Sequence, residues 1–123
     1  VLTGRPDRSG IGAVRLERDP SARAVPGVVD PGAARIELQR AMSTGAGVVR
    51  SAASLDQTRR VLQSVVAADT AVPAGAAAYE VANLVTVAAA LLDAAAARQE
   101  SRGAHSRTEF PATSAAWLHR LVL

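Results

Sequence analysis

The stretch from Ala76 to Gln99 leaves this chain little choice of fold. Val81, Leu84, Val85, Ala88, Leu91, Leu92 and Ala95 recur at steps of three and four, the spacing that lines one face of an α-helix. Half of the residues between them are alanine, the strongest helix former. At 1.5 Å per residue the span is a rod of roughly 36 Å, a natural spine for shorter helices. The same alanines limit the core. Small side chains let helices approach to the short end of the usual range of about 8–10 Å, but each removes little apolar surface at roughly 25 cal/mol per Å². Tyr79, Phe110 and Trp117 are the only aromatics among 123 residues, so a bundle built this way gains by docking on something larger.

Two partners are predicted upstream. Asp30-Pro31 is a helix start: the aspartate accepts from free backbone amides, and proline in the first turn lacks only an amide that had no partner. Helix one is expected from Pro31 to about Thr44, with Ala34, Leu38, Ala41 and Met42 on one face, until Gly45-Ala46-Gly47 interrupts it. Ser54-Leu55-Asp56-Gln57 has the spacing of a capping box, which opens helix two. Its expected apolar stripe is Leu55, Leu62, Val65 and Val66, its wet side Thr58, Arg59, Arg60 and Gln63, and its end lies near Asp69, before Val72-Pro73-Ala74-Gly75. Helix three is expected to stop at Gly103, where a left-handed residue suits a helix end. Arg98 and Arg102 suit the negative end of its dipole and Glu100 opposes it, so Glu100 requires a specific partner, an arginine.

The expected architecture is all-α: a three-helix bundle over residues 30–105, an irregular lead-in or linker at 1–29, and an extended C-terminal tail at 106–123 that packs on the bundle or on a neighbouring domain. The lead-in carries Gly4, Pro6, Gly10, Gly12, Pro20, Pro26 and Gly27, too many breakers for a helix, although Ala13 to Glu17 allows a short extended segment. The tail contains Pro111 and then one amphipathic turn through Trp117, Leu118, Leu121 and Val122.

Composition excludes several classes of function. Arginine supplies all 14 basic residues and is interspersed with 11 acids for a net charge of +3, so no basic stripe forms of the kind nucleic-acid binding needs. Cysteine is absent, which removes disulfides and thiolate chemistry. The apolar run Val81–Leu92 is interrupted by Asn83 and Thr86 and falls short of the roughly 20 residues of a membrane span. No signal peptide is expected, and the start at Val1 rather than Met reads as a fragment or a processed chain. Gly10-Ile11-Gly12 and Gly45-Ala46-Gly47 lack the third glycine of a dinucleotide fingerprint. His105 and His119 have no Cys or close carboxylate pair to complete a metal site. Ser101, four residues before His105, lacks the strained elbow and oxyanion donors of a serine nucleophile. No catalytic, cofactor-binding or metal-ligating residue is therefore expected in this chain.

One dense polar group remains, formed by Glu100, Arg102, Gly103, His105, Arg107 and Glu109. It reads either as a solvated helix end whose surface ion pairs contribute little, or as an interdomain docking edge. In the second reading arginine forks grip a neighbour in fixed geometry and Gly103 lets the backbone turn close to it.

The run Glu100-Ser101-Arg102-Gly103-Ala104-His105, followed by Arg107 and Glu109-Phe110-Pro111, resembles the C-terminal signature of the flavoprotein family that contains L-aspartate oxidase and the succinate dehydrogenase and fumarate reductase flavoprotein subunits. Glu109 stands where family members carry aspartate. Leu38-Gln39, Met42, Gly47-Val48-Val49-Arg50, Leu55, Glu80, Asn83 and Leu84 also match, so the resemblance covers about Asp30 to Leu118. It leans towards the L-aspartate oxidase branch, because the other subunits usually continue well beyond the aromatic-proline step. The resemblance implies that the intact protein is a cytoplasmic enzyme that uses FAD to oxidise L-aspartate to iminoaspartate in de novo NAD synthesis. FAD and substrate would be held by N-terminal FAD-binding and capping domains preceding Val1. This chain would be a buttress for the flavin domain. The alternatives are the matching domain of a succinate dehydrogenase or fumarate reductase subunit with an iron–sulfur partner, and a free-standing helical interaction module.

Overall fold

The structure, a computed structural model, describes residues 4–6, 12–15, 30–67 and 75–122. Three helices dominate it: α1 (Pro31–Gly45), α2 (Ala52–Ala67) and α3 (Ala76–Ala97). Among the described residues five short strands accompany them: β1 (Gly4–Pro6), β2 (Gly12–Arg15), β3 (Val49–Arg50), β4 (Ser106–Arg107) and β5 (His119–Val122). The expected three-helix bundle is present. The expected stop of the second helix near Asp69 lies outside the described residues, as does most of the lead-in.

Asp30 begins α1 as its sequence predicts, with Oδ1 accepting from the amides of Gly32 at 3.0 Å and Ala33 at 3.1 Å. Ala34 and Leu38 carry its buried face. The helix closes at Gly45 because α2 passes over it. A Cβ on Gly45 would lie 2.0 Å from Thr58 Oγ1 and 2.9 Å from the Ser54 carbonyl oxygen. Gly45→Ala should therefore push α1 off α2 and cost about 1–3 kcal/mol; an unchanged denaturant midpoint would contradict that contact.

The second helix corrects the expected capping box. It begins at Ala52, and Ser51 rather than Ser54 caps it: the Ser51 amide donates to Ser54 Oγ and the Ser54 amide to Ser51 Oγ, both at 3.0 Å. Ser54 thus fills the role the pattern gave to Gln57. The helix starts earlier because its first amide, on Ala52, has a distant acceptor in Glu109 at 2.6 Å, invisible to local spacing. Thr58, expected on the wet side, is buried at 3% exposure against Gly45 and donates its hydroxyl to the Ser54 carbonyl at 2.8 Å.

Helix α3 ends at Ala97, earlier than the glycine predicts, as Arg98 turns to extended backbone (φ −77°, ψ 109°). Val81, Val85, Ala88, Leu92 and Ala95 enter one core with Leu38, Leu55, Leu62 and Val65. Leu84 and Leu91, expected among them, are 37% and 40% exposed, and Val87 is 64% exposed. Two partner helices cover only part of so apolar a rod. By length and composition α3 is apolar enough to cross a membrane, because its alanines extend the run beyond Val81–Leu92.

The strands join lead-in to tail. Antiparallel β1–β2 is extended by β5, parallel to β2 with Gly12 opposite His119. The extended segment expected near Ala13 is thus β2, a strand. In the tail a 3₁₀ turn at Ala115–Trp117 leads into β5, so the amphipathic turn expected through Leu121 stops at Trp117. Strand β3 pairs in parallel with β4, Val49 opposite Ser106, and carries the tail back to the junction of α1 and α2.

Candidate functional site

Everything charged at the end of α3 converges on a short hairpin. Arg102 and His105 exchange backbone hydrogen bonds of 2.7 and 3.0 Å. Gly103 takes the first loop position with φ +58°, where a two-residue hairpin wants a residue free of Cβ strain. Gly103 is thus the hairpin's glycine and not the helix stop. Ser106 then donates to the Val48 carbonyl at 3.1 Å and Thr108 to the Arg50 carbonyl at 2.9 Å, which fixes the hairpin beside β3.

Beneath the turn lies Glu100, fully buried. Arg102 grips it with both edges of its fork, Nε to Oε1 at 3.0 Å and Nη2 to Oε2 at 3.1 Å. Arg98 Nη1 donates to Oε1 at 2.5 Å and the Ser114 amide to Oε2 at 2.9 Å. The required arginine partner is present twice. The Arg102 hydrogen bonds, then the Ser114 amide, outweigh burial and hold the carboxyl down to about 2, while Glu100 in turn raises Arg102. Arg98 continues to the carbonyls of Trp117 at 3.0 Å and His119 at 2.8 Å and faces the Trp117 ring at 5.7 Å. One buried carboxylate therefore ties the turn to the tail.

Arg107 performs a different task. Its side chain is 4% exposed, and Nη1 donates to the carbonyls of Ala95 at 2.9 Å, Ala96 at 3.1 Å and Arg98 at 3.4 Å. Those oxygens lie at the end of α3, where carbonyls lack helical partners and the dipole favours a cation. Arg107 Nε pairs with Glu109 Oε2 at 3.2 Å, and Glu109 Oε1 accepts the Ala52 amide at the start of α2. The Ala52 bond is the first cause of the lowered Glu109 pKa. A single ion pair thus meets the negative end of one helix and the positive end of the next. Ser101 supports it, Oγ accepting the Arg107 amide and donating to the Phe110 carbonyl, both at 2.8 Å.

His105 is held neutral by its neighbours. Arg50 Nη1 lies 2.7 Å from Nδ1, and a guanidinium only donates, so Nδ1 accepts and the ring proton sits on Nε2, 3.3 Å from the Arg98 carbonyl. Burial, then the positive field of Arg50, lowers its pKa. Arg50 also donates Nε to the carbonyls of Ala46 at 3.1 Å and Gly47 at 2.6 Å. His119 stacks on Trp117 at 5.1 Å and leaves its buried Nε2 without a hydrogen-bond partner among the described residues.

The structure brings the predicted cluster together but divides its roles. Glu100 and Arg107 face inward; Gly103 and the outer part of Arg102 face solvent; His105 lies between. Sequence reasoning missed Arg50 and Ser114, and it gave Arg98 only a dipole role. Their spacing from the cluster carries no local signal, since the contacts cross from β3 and the tail. Among the described residues no three His, Asp or Glu side chains gather as a metal site would require. An open cleft of about 270 Å³ lies between Arg50, Leu91, Ala94, Ala95, Arg98, His105 and Leu121. It falls below the roughly 300–1,000 Å³ of small-molecule sites, and its lining has no glycine-rich turn for a pyrophosphate, so it does not fit FAD.

Residues 35–123 match the family model for the C-terminal domain of the fumarate reductase flavoprotein. An L-aspartate oxidase of Rhodospirillum rubrum is 34% identical over 116 residues, 89% of this chain and 39% of that protein. One from Streptomyces coelicolor is 40% identical over 88 residues, 64% of this chain and 15% of that protein. Among solved structures, the Mycobacterium smegmatis Sdh1 complex in the apo form superposes with a TM-score of 0.61 at 27% identity, covering 81% of this chain and 18% of that one. Mycobacterium smegmatis Sdh1 in complex with UQ1 gives 0.59 at 28% identity, covering 72% and 16%. The chain therefore spans well under half the length of these proteins.

Proposed function

The chain belongs to the family of fumarate reductase flavoprotein C-terminal domains, and from that premise we propose that it is the C-terminal helical domain of an FAD-dependent L-aspartate oxidase. The carrying observation is the identity of 34% and 40% to proteins of that name, against 27–28% to the Sdh1 chains. In this reading the intact enzyme removes two electrons and two protons from L-aspartate to give iminoaspartate, a step of NAD biosynthesis. The rest of the polypeptide binds FAD and substrate, because the cleft of this chain does not fit the cofactor. The domain contributes rigidity. Glu100 and Arg107 fix the hairpin from within, and Arg102, Gly103 and His105 form an edge that docks on the flavin domain.

Purified intact polypeptide should carry bound flavin and turn over L-aspartate, and Arg102→Ala should loosen FAD retention or lower stability. Unchanged retention and stability in that variant would remove the buttress role. The chain by itself should not bind FAD, and stoichiometric binding in a flavin titration would contradict the division of labour. The similarity to Sdh1 favours a second reading, a succinate dehydrogenase type of subunit. Turnover of succinate rather than aspartate, with a co-purifying iron–sulfur partner, selects it.

A further inference from the structure

The cleft beside the hairpin holds an arginine that no carboxylate among the described residues balances. Among the described residues, each other arginine that is buried or half-buried has a carboxylate: Arg59 has Asp93, Arg98 has Glu100, and Arg107 has Glu109. Arg50 is half-buried, and its partners are two carbonyls and the neutral ring of His105. A cation withdrawn from water without a counter-charge is costly, so the cleft is an anion acceptor in waiting.

Its surroundings specify the anion further. The wall is apolar, made by Leu91, Ala94 and Leu121. Leu91 ends an exposed row with Leu84 and Val87 at steps of three and four along α3, so the apolar surface leads directly into the cleft. An apolar approach ending at the half-buried guanidinium of Arg50, beside an Arg98 already paired with Glu100, is complementary to an acidic side chain carried on an apolar protein surface. The chain corresponds to 14–15% of several of its L-aspartate oxidase relatives, so most of such a polypeptide is available to cover this face.

We propose that the Arg50 cleft receives an aspartate or glutamate side chain from the flavin-binding part of the same polypeptide, with Leu84, Val87 and Leu91 packing on apolar residues around it. This rests on reading the chain as one domain of a larger flavoprotein. It adds a second contact, on the α3 side of the hairpin, to the docking edge at Arg102.

Hydroxyl-radical footprinting of the intact polypeptide tests it. Leu84, Val87 and Leu91 should be oxidised several-fold more slowly than Ile36, which is exposed on α1. Arg50→Gln should remove most of that protection and Arg50→Lys should keep part of it. Leu91→Arg adds a charge to the rim without touching the end of α1, so exposure of Leu84 and Val87 in this variant supports docking even where Arg50→Gln disturbs α1. Rates equal to that of Ile36, or protection indifferent to both Arg50→Gln and Leu91→Arg, overturn the proposal. Protection that appears only with rising protein concentration, or only on adding succinate, overturns it in favour of a second copy or a free dicarboxylate. Flavin absorbance and aspartate turnover, measured on the same sample, separate the two failures: unprotected α3 with both present refutes docking alone, whereas absence of both refutes the enzymatic reading.

Discussion

Glu100→Gln should lower the melting temperature at pH 7 more than any other single replacement in the hairpin, and it should flatten the acid limb of the stability curve. The glutamine preserves shape but leaves Arg98 and Arg102 facing a neutral amide that accepts at only one end. The pH dependence follows from the direction of the shift. Folding depresses the Glu100 carboxyl from 4.5 to about 2, so its stabilisation is complete above the unfolded value and disappears as pH falls from 4.5 towards 2. Wild type should therefore lose stability over that window faster than the variant, and the two curves should converge at its acid end. Residual slope in the variant is expected from Glu109, whose pKa is also lowered. Parallel curves would show that the two arginines do not hold Glu100 in its charged form.

The second large effect belongs to Arg107. Arg107→Ala strips the cap from the Ala95, Ala96 and Arg98 carbonyls and leaves Glu109 with the backbone amides of Ala52 and of Glu109 itself. The Glu109 carboxylate, 37% exposed, is rehydrated at little cost, but leaving the buried Ala95 carbonyl without a donor costs about 1–3 kcal/mol. Arg107→Lys should recover little of it, since an ammonium cannot bridge the carbonyls and the carboxylate as a planar fork does. Chemical denaturation measures the loss, and hydrogen exchange locates it. Faster exchange is expected at the last turn of α3 and also at the first turn of α2. Loosening confined to α3 would mean that the Arg107–Glu109 pair does not couple the helices.

The helices were legible because they obey local rules. Asp30-Pro31, the three-and-four spacing of Val81 to Ala95 and the interruption at Gly45 each act within a few residues. What escaped the sequence acts across the chain. Ser51 replaced Ser54 as the cap because Glu109 waits at the start of α2. Helix α3 needs no glycine stop because Arg107 fills its last carbonyls. Leu84 and Leu91 have the periodicity of core residues, yet periodicity gives no count of how many neighbours will arrive to cover them. Glu100 was partly readable: an acid against the helix dipole demanded an arginine, and two supply it. Arg50 was not, since a half-buried guanidinium without a carboxylate among the described residues is recognised only after the other buried and half-buried arginines have been paired.

The β3–β4 pair has a consequence for the lifetime of the fold. Parallel strands cannot meet through a tight turn, and here the connection between them contains both α2 and α3. The neighbouring Ala52–Glu109 bond joins residues 57 apart. Closing so long a loop carries an entropic cost before its contacts reward it, so the two helices should assemble first and the strand pair afterwards. Contacts made after the transition state govern unfolding more than folding. The β3–β4 seam is then a latch: weakening it should leave the speed of assembly nearly unchanged and shorten the time the bundle stays closed.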